Sequence, residues 1–149
     1  MVPENSQRQR PLHPFRILLC DDSPVERMAM GHYLRQNGYD VDEVSDGQSA
    51  IDSLRYRLID LILLDLHMPG MDGFSVLKYL HQHRPGLPVI VLSGMPIEEI
   101  QHEIHHLPNH ELPPLLLKPV DLNQLVDLLD MSFNGELSEP TSMEDTPAA

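Results

Sequence analysis

Leu61-Ile62-Leu63-Leu64-Asp65-Leu66-His67-Met68-Pro69-Gly70-Met71-Asp72-Gly73 is the stretch on which the fold turns. Four apolar residues in succession read as a strand buried on both faces, as in a parallel sheet covered by helices on either side. Pro69, Gly70 and Gly73 then end regular structure. Between the run and the loop stands Asp65, a carboxylate that such a strand does not need for stability. The carboxyl end of a parallel strand is where open α/β sheets carry their chemistry. Asp65 is therefore the candidate reactive centre.

Working outward, the same pattern recurs. Upstream, Phe15 to Cys20 reads as a short buried strand closed by Asp21-Asp22-Ser23-Pro24. Pro24 suits the first turn of a helix, and acids suit its positive N-terminal end. Val25, Ala29, Met30, Tyr33 and Leu34 are spaced for one helix face, and Asn37-Gly38 stops it. Residues 39 to 44 read as a sheet-edge strand and Asp46-Gly47 as a turn. Ala50, Ile51 and Leu54 then face inward from a second helix.

Downstream, Phe74, Leu77 and Leu80 mark a third helix ended by Pro85-Gly86. Val89 to Leu92 is a buried strand with Ser93-Gly94 at its end. Ile97, Ile100 and Ile104 mark a short fourth helix, and Pro108, Pro113 and Pro114 forbid regular structure after it. Leu115 to Leu117 is a fifth strand ended by Lys118-Pro119. Leu122, Leu125, Val126 and Leu129 give a fifth helix, with Asp121 near its start. Strand and helix alternate five times, which predicts an α/β fold: a parallel sheet with right-handed crossovers and helices on both faces. The expected organisation is a flexible arm over 1–13, one domain over 14–132 and an acidic disordered tail over 133–149.

Composition narrows the function. The 149 residues suit one domain, and a hydrophobic content of 41% is ordinary for a globular chain. The formal net charge of -13 comes from 23 acidic and 10 basic residues with no cluster of Lys and Arg. Direct nucleic-acid binding and attachment to an anionic membrane are therefore disfavoured. No apolar run approaches the roughly 20 residues of a membrane helix. The N-terminus lacks the apolar core of a signal peptide. The single Cys20 sits in an apolar run and reads as a small buried hydrophobe, which agrees with a reducing, cytoplasmic location.

With strand ends marked, Asp21 and Asp22, Asp65, Ser93 and Lys118 fall on one edge of the sheet. Three carboxylates drawn together repel one another and are tolerable with a cation among them. Hard oxygen ligands suit Mg²⁺, which keeps several waters and binds one or two carboxylates plus a phosphate. Lys118 and Ser93 then supply a point charge and a hydroxyl donor for phosphate oxygens. Such a set fits a carboxylate nucleophile attacking phosphorus.

These residues resemble the receiver domain of the two-component response regulator family. The resemblance rests on the pair Asp21-Asp22, on Asp65 with the following Met-Pro-Gly-Met-Asp-Gly, on Ser93-Gly94 and on Lys118-Pro119. It covers about residues 14 to 132 and is that of a stand-alone, single-domain regulator. It implies a flavodoxin-like doubly wound sheet of five strands, order 2-1-3-4-5, with five helices. Asp65 would accept a phosphoryl group from a histidine kinase or a histidine phosphotransfer protein. Asp22 and Asp65 would bind Mg²⁺ with the backbone carbonyl of His67, and Asp21 would act mostly through water. Ser93 would hydrogen-bond the phosphoryl group, and Lys118 would pair with it next to a cis peptide to Pro119. Phosphorylation would then change the face formed by helix four, strand five and helix five, where a protein target or a second copy of the chain would dock. The only catalysis implied is of the chain's own phosphorylation and dephosphorylation.

Two features depart from the family pattern. Leu115 stands where an aromatic residue is usual, three positions before the Lys. The segment from Ser93 to Lys118 is long and carries three prolines, which predicts a remodelled exit from helix four. His67 and Met95 flank the site, and bulky Met95 is expected to hinder the water that removes the phosphoryl group. His102, His105, His106 and His110, interleaved with Glu98, Glu99 and Glu103, read as a solvated face rather than a metal site.

Two other functions stay open. A phosphorylation-independent adaptor would keep the fold and fail to bind Mg²⁺ and beryllofluoride. A phosphatase with an Asp nucleophile usually has a second Asp two residues on, where this chain has His67, and it would turn over a phosphomonoester. A place within a larger regulator also stays open.

Overall fold

The computed structural model describes residues 14–68, 70–106 and 112–133. The expected arm and most of the expected tail lie outside the described residues, as does the Pro108 loop. Strand β3 (Leu61–Asp65) is buried along its whole length. It lies in the middle of a five-stranded parallel sheet with β1 (Arg16–Cys20), β2 (Asp40–Val44), β4 (Val89–Ser93) and β5 (Leu115–Leu117), in the order β2-β1-β3-β4-β5. Helices α1 (Pro24–Gln36), α2 (Gly47–Tyr56), α3 (Gly73–His83), α4 (Ile97–Glu103) and α5 (Leu122–Phe133) make the connections. No helix among the described residues is long and apolar enough to cross a membrane.

The continuous apolar runs have a direct cause. Side chains alternate across a strand, so β3 sends Ile62 and Leu64 into one core and Leu61 and Leu63 into another. The first core is filled from α2, α3 and α4 by residues such as Leu54, Leu77 and Ile100. The second is filled from α1 and α5 by Met30, Leu34, Leu125 and Leu129. Both faces are covered, so no polar position is left in the strand until its tip.

Register then places the tips. Cys20 lies opposite Leu64, so Asp21 and Asp65 are the next residues along β1 and β3. Asp65 pairs with Leu92, and Ser93 pairs with Leu117, immediately before Lys118. The chain runs outward from β1 to β2 and returns to β3. The topological switch point therefore lies between β1 and β3, where doubly wound sheets open a crevice.

Several local readings are corrected. Val25 and Ala29 do not face the core; Val25 is 79% exposed, and α1 buries Met30, Gly31 and Leu34 instead. Gly31 faces the carboxylate end of Glu43 on β2. Asp46 starts α2 rather than a free turn, because its carboxylate accepts the Ser49 amide. Strand β2 begins at Asp40, and Tyr39 instead donates its hydroxyl to Asp130. Ile97 is exposed, whereas Ile100 and Ile104 are buried. Helix α5 runs through Phe133, one residue past the expected boundary, and this ring stacks on Phe15 with centroids 3.8 Å apart. Gly38, past the C-cap Asn37, has φ +92, a conformation glycine adopts without steric cost.

Candidate phosphoryl-acceptor site

Each side chain at the carboxyl edge is fixed by its own strand end. Asp65 is 2% exposed, and its Oδ1 accepts the His67 amide at 2.9 Å. Asp21 is 0% exposed, and its Oδ1 accepts the Ser23 amide at 2.9 Å. Asp22, the next residue, is exposed. Oxygens of the three carboxylates all lie within 4.8 Å of one another.

Lys118 enters from the opposite side. Its backbone amide donates to the Ser93 carbonyl at 2.8 Å, and its peptide to Pro119 is cis. The ammonium donates to Asp65 Oδ2 at 2.9 Å, to Glu26 Oε2 at 2.9 Å and to Asp21 Oδ2 at 3.3 Å. Asp21, Asp22, Asp65 and Lys118 are thus brought together. Ser93 stands beside them with a fully buried hydroxyl that accepts the Met95 amide at 2.9 Å. His67 is exposed and shares the cleft above Asp65 with Asp22, Ser23, Met95, Glu99 and Lys118.

Glu26 was not foreseen from the sequence. The signal was present: it lies three residues after Ser23, the N-cap of α1, and a helix leaving a strand tip turns its first residues back over that tip. The loop after β3 is equally close. A Cβ at Gly73 would lie 2.5 Å from the Asp65 carbonyl oxygen, so this position has no room for a side chain.

Charge at the site is unbalanced. Asp21, Asp65 and Glu26 share one ammonium, and Asp22 stands beside the two aspartates. Burial raises the Asp21 carboxyl above its ordinary value of 3.8, and the charge of Asp65 adds to it, against the Ser23 amide and Lys118. Burial alone would lower the Lys118 ammonium. Hydrogen bonds donated to Glu26 and Asp65 and the charges of Asp65 and Asp21 outweigh it and hold Lys118 above its usual range. The Cys20 thiol lies directly beneath, and burial first and the nearby acids second push it far up. It stays a protonated, inert filler. An all-oxygen donor set with surplus negative charge fits a hard divalent cation and not a thiolate-seeking metal.

Five parallel strands in the order β2-β1-β3-β4-β5, with helices on both faces, define a flavodoxin-like domain. The response regulator receiver domain matches residues 17–130. The chain belongs to that family. It is 38% identical over 81 residues to the probable transcriptional regulatory protein TcrX of Mycobacterium tuberculosis, covering 54% of this chain and 35% of that protein. It is 32% identical over 118 residues to the autoinducer 1 sensor kinase/phosphatase LuxN of Vibrio campbellii, covering 79% of this chain and 13% of that protein. The chain thus spans well under half of these relatives. Among solved structures, it is similar to the receiver domain of an HD domain-containing protein from Pseudomonas fluorescens Pf-5. The identity is 28% and the TM-score 0.75, with 85% of this chain and all of that one covered. A response regulator receiver protein from Pseudomonas putida gives 31% identity and a TM-score of 0.70, with 78% and 96% covered.

Proposed function

We propose that residues 14–132 form a receiver unit that takes a phosphoryl group from a phosphohistidine onto Asp65 and passes the signal on by protein contact. The observation that carries this reading is the Asp65 carboxylate itself. It is buried at the switch point, open to a cleft, 2.9 Å from an ammonium and within 4.8 Å of two further acids. An Asp65 oxygen attacks phosphorus, the new O–P bond forms, and the P–N bond breaks with its electron pair returning to the donor imidazole. Lys118 follows the developing charge on the phosphoryl oxygens, and the Ser93 hydroxyl donates to one of them. Asp22, Asp65 and the His67 carbonyl would hold Mg²⁺, with Asp21 behind them. When bound, the ion supplies charge neutralisation at the phosphoryl oxygens.

Two observations support an output through the α4, β5 and α5 face. Leu117 on β5 is 54% exposed, and Ile97 on α4 is exposed as well. Ser93 also leads there, through its bond to the Met95 amide just before α4. Leu115 packs half-buried against the first core, so the signal runs through this Ser93 connection and not through an aromatic side chain. The partners on this reading are a histidine kinase or phosphotransfer protein and a downstream protein, in the cytoplasm.

Incubation with Mg²⁺ and acetyl phosphate, or with a phosphorylated phosphotransfer protein, tests the reading by intact mass. One phosphoryl group must appear, and chelation must prevent it. No added group from either donor, together with no binding of beryllofluoride, would leave the adaptor reading instead. Met95 lines the cleft beside Asp65 and His67, where attacking water must pass. Met95→Ala is expected to shorten the phosphorylated lifetime severalfold, measured as the decay of labelled protein; an unchanged rate removes that role.

A further inference from the structure

Among the described residues, Glu26 is the one charged contact of Lys118 outside the strand tips, and its role here rests on the phosphoacceptor reading of Asp65. The ammonium has three donors, and three carboxylates claim them: Glu26 at 2.9 Å, Asp65 at 2.9 Å and Asp21 at 3.3 Å. The Lys118 side chain is 16% exposed and that of Glu26 47%, so this pair is partly solvated and weaker than those to the buried Asp21 and Asp65.

Glu26 is held on a fixed support. It lies in the first turn of α1, where its amide is bonded to Ser23 Oγ and Pro24 sets the backbone. The next residue, Arg27, ties the helix to the site by donating to the Asp21 carbonyl at 2.7 Å.

We propose that Glu26 is a positioning residue that holds the Lys118 ammonium against the incoming phosphoryl group and thereby restrains charging of Asp65. A phosphoryl group on Asp65 brings two negative charges and needs the ammonium. Glu26 competes for the same proton donors. A simpler account gives Glu26 only a structural role, as an acid favourably placed at a helix N-terminus. The two accounts differ in sign. A structural residue loses stability and weakens the site when replaced. A competing residue, once neutralised, frees Lys118 and tightens the site.

The test uses the full chain with Mg²⁺, titrated with beryllium fluoride and read by ¹⁹F NMR, with thermal melts to establish folding. Glu26→Gln is expected to tighten binding about fivefold, the scale of one partly solvated ion pair. Glu26→Asp, which keeps the charge and withdraws it by one methylene, is expected to fall between wild type and Glu26→Gln. Glu99→Gln is the control: Glu99 lines the same cleft, and no hydrogen bond or ion pair to Lys118 is among its contacts. Equal tightening by Glu99→Gln would mean a general effect of rim charge and overturn the proposal. Unchanged or weaker binding in Glu26→Gln, with wild type binding normally, would overturn it too. Failure of wild type itself to bind would instead overturn the phosphoacceptor reading on which this one stands.

Discussion

Asp65→Asn is expected to fold and to take up no phosphoryl group from any donor. The substitution keeps the size of the side chain and an oxygen that can still accept the His67 amide now bonded at 2.9 Å. It removes the only feature that makes the position reactive, since an amide oxygen is a poor nucleophile and carries no charge to attract the metal. It also eases the crowding of acids around Asp21, so no loss of fold is expected. Stoichiometry by intact mass, measured at saturating donor beside wild type, reads the result. Full phosphorylation of the variant, at Ser93, Asp22 or elsewhere, would remove Asp65 from its assigned role. An absence of labelling in the variant with normal labelling of wild type would establish it.

The second large effect is on stability. Lys118→Met is expected to cost about 3 kcal/mol in metal-free protein near pH 7.5, because it leaves buried carboxylates without their counter-charge. Asp21 is 0% and Asp65 2% exposed, so water entering from the cleft replaces the ammonium only in part. The pH dependence has a defined sign. The Asp21 carboxyl already titrates above its ordinary value of 3.8 because of burial, and loss of Lys118 raises it further. A folded state that holds a proton more tightly than the unfolded chain loses stability as pH rises between the two values. The deficit of the variant should therefore shrink as pH falls from 7 toward 4. Millimolar Mg²⁺ should also restore part of it, since the acids freed of the ammonium bind the cation more tightly than in wild type and binding stabilises the folded state. Urea titrations at several pH values, with and without Mg²⁺, measure both. A variant as stable as wild type at pH 7.5, with no response to Mg²⁺, would mean that the lysine and the acids are not energetically coupled.

The fold was legible because burial on two faces leaves an unmistakable mark. Leu61 to Leu64 and Val89 to Leu92 could not alternate with polar residues, since helices cover both sides of the sheet. The same reasoning placed Asp21, Asp65, Ser93 and Lys118 at one edge, because each polar residue follows directly on such a run. Helix faces were harder to read. Val25 and Ala29 fit an apolar stripe on α1 but stand in solvent, because Gly31 and not Ala29 lies against β2. Strand starts also drew less notice than strand ends. Asp60 accepts the Arg16 amide at 2.7 Å, a cross-strand tie with no apolar pattern to announce it. Glu26 was missed for a different reason. Helical periodicity ranks residues by hydrophobicity and ignores a charged residue on the outer face, even one that reaches over the end of its own strand.

The sheet separates two cores, and the groups around Asp65 are anchored in different ones. Ser93 is linked through the Met95 amide toward α4. Lys118 is linked through Glu26 to α1, on the far side of the sheet. The acidic tip is therefore held by groups that contact helices on opposite faces of the sheet. Substitutions in α1 and in α4 would thus reach the acidic tip through separate contacts, one at Lys118 and one at Ser93.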